Sequence, residues 1–303
     1  MNTNHDITIR LIELFCYVSD LYHNILEAEV QRFSPNALPK FTDEEAIATY
    51  IWGMRQGYLC TKAIYTYIVI HFEDCFPKIP CYQEYVRRIN LLSPAFIALA
   101  GFLAEMGESL DIIPGESLMD SFPIVLASGP RMKQAKVARE CRSEGYCASK
   151  DMYYYGVKLH AIGFRRPGSL PIPECLLVTS AAIHDLTALR NVLESAHQRK
   201  FFADKAYIDE NLRVTLAGNS SVIFTPIKRK KGQSGWERHF DHAANALFST
   251  VVNRIRQPIE SLFSWLEQKT GLQRASHVRS SMGLCSFIFS RLAFCLLLLL
   301  GLC

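Results

Sequence analysis

Lys200–Tyr207 reads KFFADKAY. Two phenylalanines and an alanine form a short apolar run that stops at a carboxylate, Asp204. A lysine and a tyrosine follow at once, and then a helix-like segment. This pattern predicts a buried strand that ends as it presents an acid to solvent. In open α/β sheets, functional groups collect outside the carboxyl ends of strands. The stretch therefore points to the fold class and to where chemistry should be sought. One acid does little alone, so partners for Asp204 must come from elsewhere in the chain.

On the N-terminal side, Ser117–Val125 (SLMDSFPIV) reads as a strand with Asp120 inside it. A basic segment follows at Gly129–Arg142, holding Arg131, Lys133, Lys136, Arg139 and Arg142 against Glu140 alone. Tyr153–Phe164 and Cys175–Ala181 read as two more strands, separated by a Pro/Gly turn at Arg166–Pro173. Asp185–Gln198 is predicted as a helix capped by Asp185. After the KFFADKAY strand come a helix at Asp209–Ala217, a strand at Val222–Thr225 and a loop at Ile227–Asp241. That loop contains Lys228, Arg229, Lys230 and Lys231. A long helix from Ala243 to Lys269 carries Pro258, where a kink is expected, and a last helix starts at Ser281. An antiparallel start followed by strand–helix alternation implies an α/β fold: a mixed five-stranded sheet with helices packed on it.

The first third reads differently. Residues 7–30 carry a helical apolar stripe. Thr42 and Glu45 form a capping box ahead of a helix that should end near Gly57. Further helices are expected over Ala63–Phe72, Tyr82–Leu92 and Ala95–Met106. Short helices in series suit either a helix-turn-helix DNA reader, with Gln83–Asn90 and its Arg87 and Arg88 as the recognition element, or a helical packing domain. The expected division is an all-helical domain over 1–110 and an α/β domain over 111–303, with a basic insertion near 226–244.

At 303 residues with 49% hydrophobic content, the chain is long and apolar enough to bury a large core. The net charge of +4 conceals an asymmetry. Residues 1–120 hold 8 Lys+Arg and 16 Asp+Glu, whereas 121–303 hold 25 and 13. The basic part suits a polyanionic partner, and on charge alone it equally suits a solvated surface. The 10 cysteines show no CxxC pair and no Cys/His metal spacing, so most are read as small buried residues of a reducing cytoplasm. The N-terminus lacks the shape of a signal peptide. The uninterrupted apolar run after Arg291 falls short of the roughly 20 residues that span a bilayer, so a buried terminal helix is expected rather than a membrane span.

Asp120 shares its strand face with Leu118 and Phe122, where a carboxylate is costly unless paired or metal-bound. Glu260 lies in NRIRQPIESLFSWL, directly after Ile259 of an apolar stripe formed by Ile255, Ile259, Leu262, Phe263 and Leu266. A helix docked through that stripe would aim Glu260 toward the two aspartates. Three converging carboxylates repel one another, and hard Mg²⁺ resolves the conflict with carboxylate, water and phosphate oxygens. Two such ions support in-line phosphoryl displacement. By spacing alone, each acid also reads as an ordinary surface or capping carboxylate.

LMDSFPI, YYYGVKLH, His184-Asp185, ADKAY and Arg256-x-x-x-Glu260-x-x-Phe263 occur in that order. Together they resemble the catalytic core of DDE-type bacterial insertion-sequence transposases, over roughly residues 112–303. The resemblance implies a ribonuclease H-like fold, with Asp120, Asp204 and Glu260 as catalytic and metal-binding acids for two Mg²⁺ ions, Mn²⁺ substituting. It implies DNA contacts at Arg256, Lys205 and Tyr207, and the basic Arg131, Lys133, Lys136 and Lys228–Lys231 join them. His160 is read as a hydrogen-bonded structural histidine. The implied activity is cleavage of double-stranded DNA at terminal inverted repeats and transfer of 3′-hydroxyl strands into target DNA. A cytoplasmic homodimer, without membrane, would bridge two ends. A ribonuclease H-like nuclease without strand transfer and an inactive DNA-binding relative remain as alternatives. Asn253 and Glu267 stand where several such transposases carry a tyrosine and a lysine.

Overall fold

The computed structural model describes residues 3–30, 39–107, 110–135, 137–147, 151–227 and 235–303, with side chains described except at 3–5 and 235–244. Lys136 and Lys228–Lys231, expected to meet DNA, lie outside the described residues. By contact the chain groups into two units. One comprises Met1–Leu103, Lys136–Glu140 and Leu266–Cys303. The other comprises Ala104–Ala135 and Cys141–Trp265. The sequence-based division at 110/111 runs along the chain, whereas the contact grouping also places the C-terminal segment with the N-terminal helices.

The first unit is helical: α1 (Thr3–Leu21), α2 (Asp43–Arg55), α3 (Thr61–Phe72), α4 (Tyr82–Leu91), α5 (Ser93–Met106) and α9 (Ser281–Leu299). The capping box that starts α2 forms as expected. The Thr42 N–H donates to Glu45 Oε2 at 2.6 Å and the Glu45 N–H donates to Thr42 Oγ1 at 3.3 Å. The helix stops before Gly57, whose φ of +87° suits a residue without a Cβ. Trp52, Tyr85, Phe41 and Phe96 fill the core. Arg88 does not serve a DNA-reading face. It is buried, and its Nε and Nη2 donate to Asp43 Oδ1 at 3.2 and 2.9 Å, while the Tyr22 hydroxyl donates to Asp43 Oδ2. A buried guanidinium needs such a counter-charge. Helix α9 packs on α2 and α4 and is buried without a break from Arg291 to Leu297. It is long and apolar enough to cross a membrane, yet 61% of its most apolar window is buried within the chain, as in a core helix.

The second unit holds a ribonuclease H-like mixed α/β arrangement. Its strands are β1 (Glu116–Ser128), β2 (Ser143–Cys147), β3 (Met152–Phe164), β4 (Ile172–Ser180), β5 (Lys200–Phe202) and β6 (Val222–Phe224). The sheet order is β2-β3-β1-β5-β6, with β4 also paired to β3. Pairs β1/β3, β2/β3 and β3/β4 are antiparallel, while β1/β5 and β5/β6 are parallel. The sheet has one strand more than expected. SEGYC at β2 lacks apolar alternation and gained no strand assignment from sequence. It is held by pairing with the first half of β3, and Gly145 lets it approach Ala181, whose Cβ would lie 2.7 Å from any added Cβ. Helices α6 (Asp185–Glu194) and α7 (Glu210–Gly218) cover one face, where Met119, Ile162, Leu189, Phe201, Leu212 and Ile223 pack together. Helix α8 (Gly235–Thr270) starts earlier than the predicted Ala243 and carries Pro258 inside it.

Candidate active site

Strand pairing brings the two aspartates side by side. The last parallel pair between β1 and β5 is Leu118 with Phe202. Two residues further along each strand stand Asp120 and Asp204. Asp204 is the residue at which β5 has ended and the short helical turn Lys205–Tyr207 begins. Its backbone is extended (φ −77°, ψ 171°) and its carboxylate does not cap the turn. No hydrogen bond or ion pair engages that carboxylate among the described residues.

Helix α8 supplies the third acid. Phe263 stacks on Phe122 of β1 with ring centroids 5.2 Å apart, which docks this part of the helix on the sheet face that carries Asp120. About one turn back along α8 is Glu260, and about two turns back is Arg256. Arg256 Nη1 donates to Asp120 Oδ2 at 2.8 Å, and Arg256 Nη2 donates to Glu260 Oε1. A single guanidinium thus joins an acid on β1, 136 residues before it in sequence, to an acid on its own helix α8. Only 11% of the Arg256 side chain is exposed, against 52% for Glu260. The Arg256 Nε is buried and has no hydrogen-bond partner.

Burial pushes the Asp120 carboxyl up to about 6. Arg256 and the Ser121 N–H oppose the rise, while Glu260 and Asp204 add to it. Glu260 and Asp204 therefore lie close enough to Asp120 for their charges to act on it. Asp204, Lys205, Asn253, Arg254, Arg256, Gln257 and Glu260 line a cleft of about 580 Å³. Asp120 is not part of that lining and reaches it only through Arg256. Asn253, Arg254 and Gln257 were not singled out as site residues from sequence. The available signal was the spacing of Asn253 three residues before Arg256 and of Gln257 three before Glu260, which shares a helix face; Arg254 had no such signal.

As the side chains stand, no three His, Cys, Asp or Glu among the described residues are grouped to hold a metal ion. The cation between Asp120 and Glu260 is the Arg256 guanidinium. The donor chemistry still suits a hard divalent ion, because Asp120, Asp204 and Glu260 offer only carboxylate oxygens and Asp204 is unengaged.

The other expected residues separate. Lys205 is exposed at the cleft, while Arg131 and Lys133 are exposed on a helical turn at Gly129–Gln134 and do not line it. Tyr207 is 1% exposed within the apolar cluster under α6 and α7, so the DNA contact expected of it is not available. Burial, and then Asp185, Asp120 and Asp204, raise its phenol well above the ordinary value. His160 is fully buried and its Nε2 pairs with Thr179 Oγ1 at 2.8 Å. Asp185 does not cap α6 with its side chain. Instead it accepts from Lys158 Nζ at 2.9 Å.

No curated protein and no solved structure matches the chain. A family model described as "Transposase DDE domain" matches residues 112–280, more than half of the chain and the whole of the region that carries Asp120, Asp204 and Glu260. The aspartate within β1, the aspartate just past β5, the helix-borne glutamate and this match lead to one conclusion: the chain belongs to the transposase DDE domain family.

Proposed function

We propose that the chain cuts DNA at the ends of an insertion sequence and joins the freed 3′-hydroxyl strands to target DNA, using Asp120, Asp204 and Glu260 as its catalytic acids. The observation that carries this reading is the meeting of two acids on Arg256 beside a third at the end of the neighbouring strand. Asp120, Asp204 and Glu260 would hold divalent magnesium, which when bound makes water and 3′-hydroxyl oxygens nucleophilic and stabilises the departing oxygen.

The chain's own groups do the rest. The acids fix the reacting phosphate's position relative to two secondary-structure elements, β1 and α8. Lys205, Arg254 and Arg256 neutralise phosphate oxygens along the cleft. Released from Glu260, the Arg256 guanidinium has a planar fork suited to a phosphate. In the first reaction, a water oxygen bonds to phosphorus and the bond to the 3′ oxygen breaks, leaving a 3′-hydroxyl and a 5′-phosphate. In the second, that 3′-hydroxyl oxygen attacks a target phosphodiester. One phosphodiester forms as another breaks, and a proton moves from the attacking to the leaving oxygen. Holding two ends together requires at least two copies of the chain.

The test is a strand-transfer reaction with pre-cut element ends, magnesium and a target plasmid. Joined product is expected from the native chain and at least about 1000-fold less from Asp204→Asn, with DNA binding retained. Cleavage without any joined product would identify a nuclease instead. Joining that is indifferent to Asp204→Asn would remove the acids from the mechanism.

A further inference from the structure

A second concave surface lies in the helical unit, mostly outside the residues that match the family model. It is a groove of about 860 Å³, walled by α4 on one side and by the 271–280 link between α8 and α9 on the other. Tyr82 and Asn90 face it from α4. Arg274, His277 and Arg279 face it from the link, and Arg291 of α9 faces it from below the surface. Arg274, His277 and Arg279 are exposed. None of them is paired with a carboxylate among the described residues. The Arg279 Nη1 donates to the main-chain oxygens of Ser276 and Val278, at 2.9 and 3.1 Å, so its charge is oriented but not neutralised.

Arg291 underlies the rim and ties its elements together. It is 3% exposed, yet its guanidinium meets only main-chain carbonyls: Nε donates to Thr270 at 3.0 Å, Nη1 to Phe287 at 3.1 Å and Nη2 to Leu59 at 2.6 Å. It also lies 3.6 Å over the Phe287 ring. The one acid of the groove, Glu267, is engaged by the Gln273 N–H at 2.6 Å. The same unit seals its other buried arginine, Arg88, with Asp43. The donors of Arg291 are taken up by those main-chain carbonyls, whereas Arg274 and Arg279 stand exposed at the rim with no carboxylate partner among the described residues, and it is these two charges that suit an anion supplied from outside.

We infer that this groove binds the phosphate backbone of duplex DNA. The inference rests on the reading of the chain as a DNA-joining enzyme, and it assigns the grip on DNA to a surface that the acids do not form. Charge complementarity selects the occupant. Over Met1–Leu103, Lys136–Glu140 and Leu266–Cys303 the unit holds 14 Lys+Arg against 13 Asp+Glu, so a positive groove in it is a local feature rather than a basic surface at large. Guanidinium groups at 274 and 279, together with the His277 ring, the Asn90 amide and the Tyr82 hydroxyl, suit contacts that follow a backbone without reading bases.

The experiment measures binding of the full-length chain to a short random-sequence duplex without divalent metal, across a salt series. The double substitution Arg274→Gln/Arg279→Gln is expected to weaken binding by about tenfold or more. It should also make the slope of log affinity against log salt shallower by about 2, one unit for each lost phosphate contact. Arg274→Lys/Arg279→Lys should restore most of both. Unchanged affinity and slope in the glutamine variant, at an unchanged melting temperature, would overturn the inference. Cutting by the glutamine variant should need about tenfold more DNA for its half-maximal rate, and Asp204→Asn should bind normally. A chain that binds through the groove but never cuts therefore contradicts the proposed function and leaves the groove standing.

Discussion

Arg256 is held between two acids, and its guanidinium offsets their mutual repulsion. Removing its guanidinium leaves Asp120, already pushed up to about 6, facing Glu260 and Asp204 with no internal cation. Arg256→Gln is therefore expected to lose about 2–3 kcal/mol in metal-free urea unfolding, less than for a fully enclosed pair because Glu260 is half exposed. Magnesium should recover most of that loss, and calorimetric titration should show tighter metal binding than in the native chain, since no guanidinium competes. If Arg256 were only a structural clasp, magnesium would bind the variant more weakly and recover nothing. Tyr207 and Arg88 carry a different lesson. Each is a polar residue that sequence placed at a DNA surface and packing placed inside, Tyr207 in an apolar cluster and Arg88 on Asp43. Residue type gave no warning, because tyrosine and arginine serve both roles.

At the scale of elements, the site depends on α8 sitting in one register on β1. Phe263 against Phe122 sets that register, and Ile259 and Leu262, both fully buried, widen the contact. Phe263→Ala is expected to lose roughly 3–4 kcal/mol in chemical unfolding. It should also lower joining at least tenfold with every acid intact, because a loosened helix no longer holds Glu260 in place. Phe263→Leu should keep most of both. Equal joining by the alanine variant would mean that the helix is positioned by something other than this contact. The strands show where sequence reading fails at this scale. β1, β3, β4, β5 and β6 announce themselves by apolar runs. β2 does not, since its five residues are polar or small and owe their extended form to pairing with β3.

At the scale of the whole molecule, the apolar C-terminus is a load of buried surface in the helical unit. From Arg291 to Leu297 every residue of α9 is buried, and the helix packs on α2 and α4. A helix apolar on all sides belongs to an interior. Leu292→Asp is therefore expected to cost roughly 4–5 kcal/mol, through a lost apolar contact and a buried unpaired charge. Limited proteolysis should then open α2–α4 while the strands of the sheet stay protected. Protection of the helices in that variant would show that α9 is not part of their core.

The sequence by itself determined which acids to watch, the helical character of the first third, five of the six strands and the family. Each of these is written in local patterns: a run that ends on an acid, an apolar period, a motif order. Only the tertiary structure decided that Arg256 clasps Asp120 to Glu260, that Arg88 turns inward to Asp43 and that the last helix joins the N-terminal helices. These depend on contacts between residues far apart in the chain. Burial, not residue type, sets what a charged side chain does there.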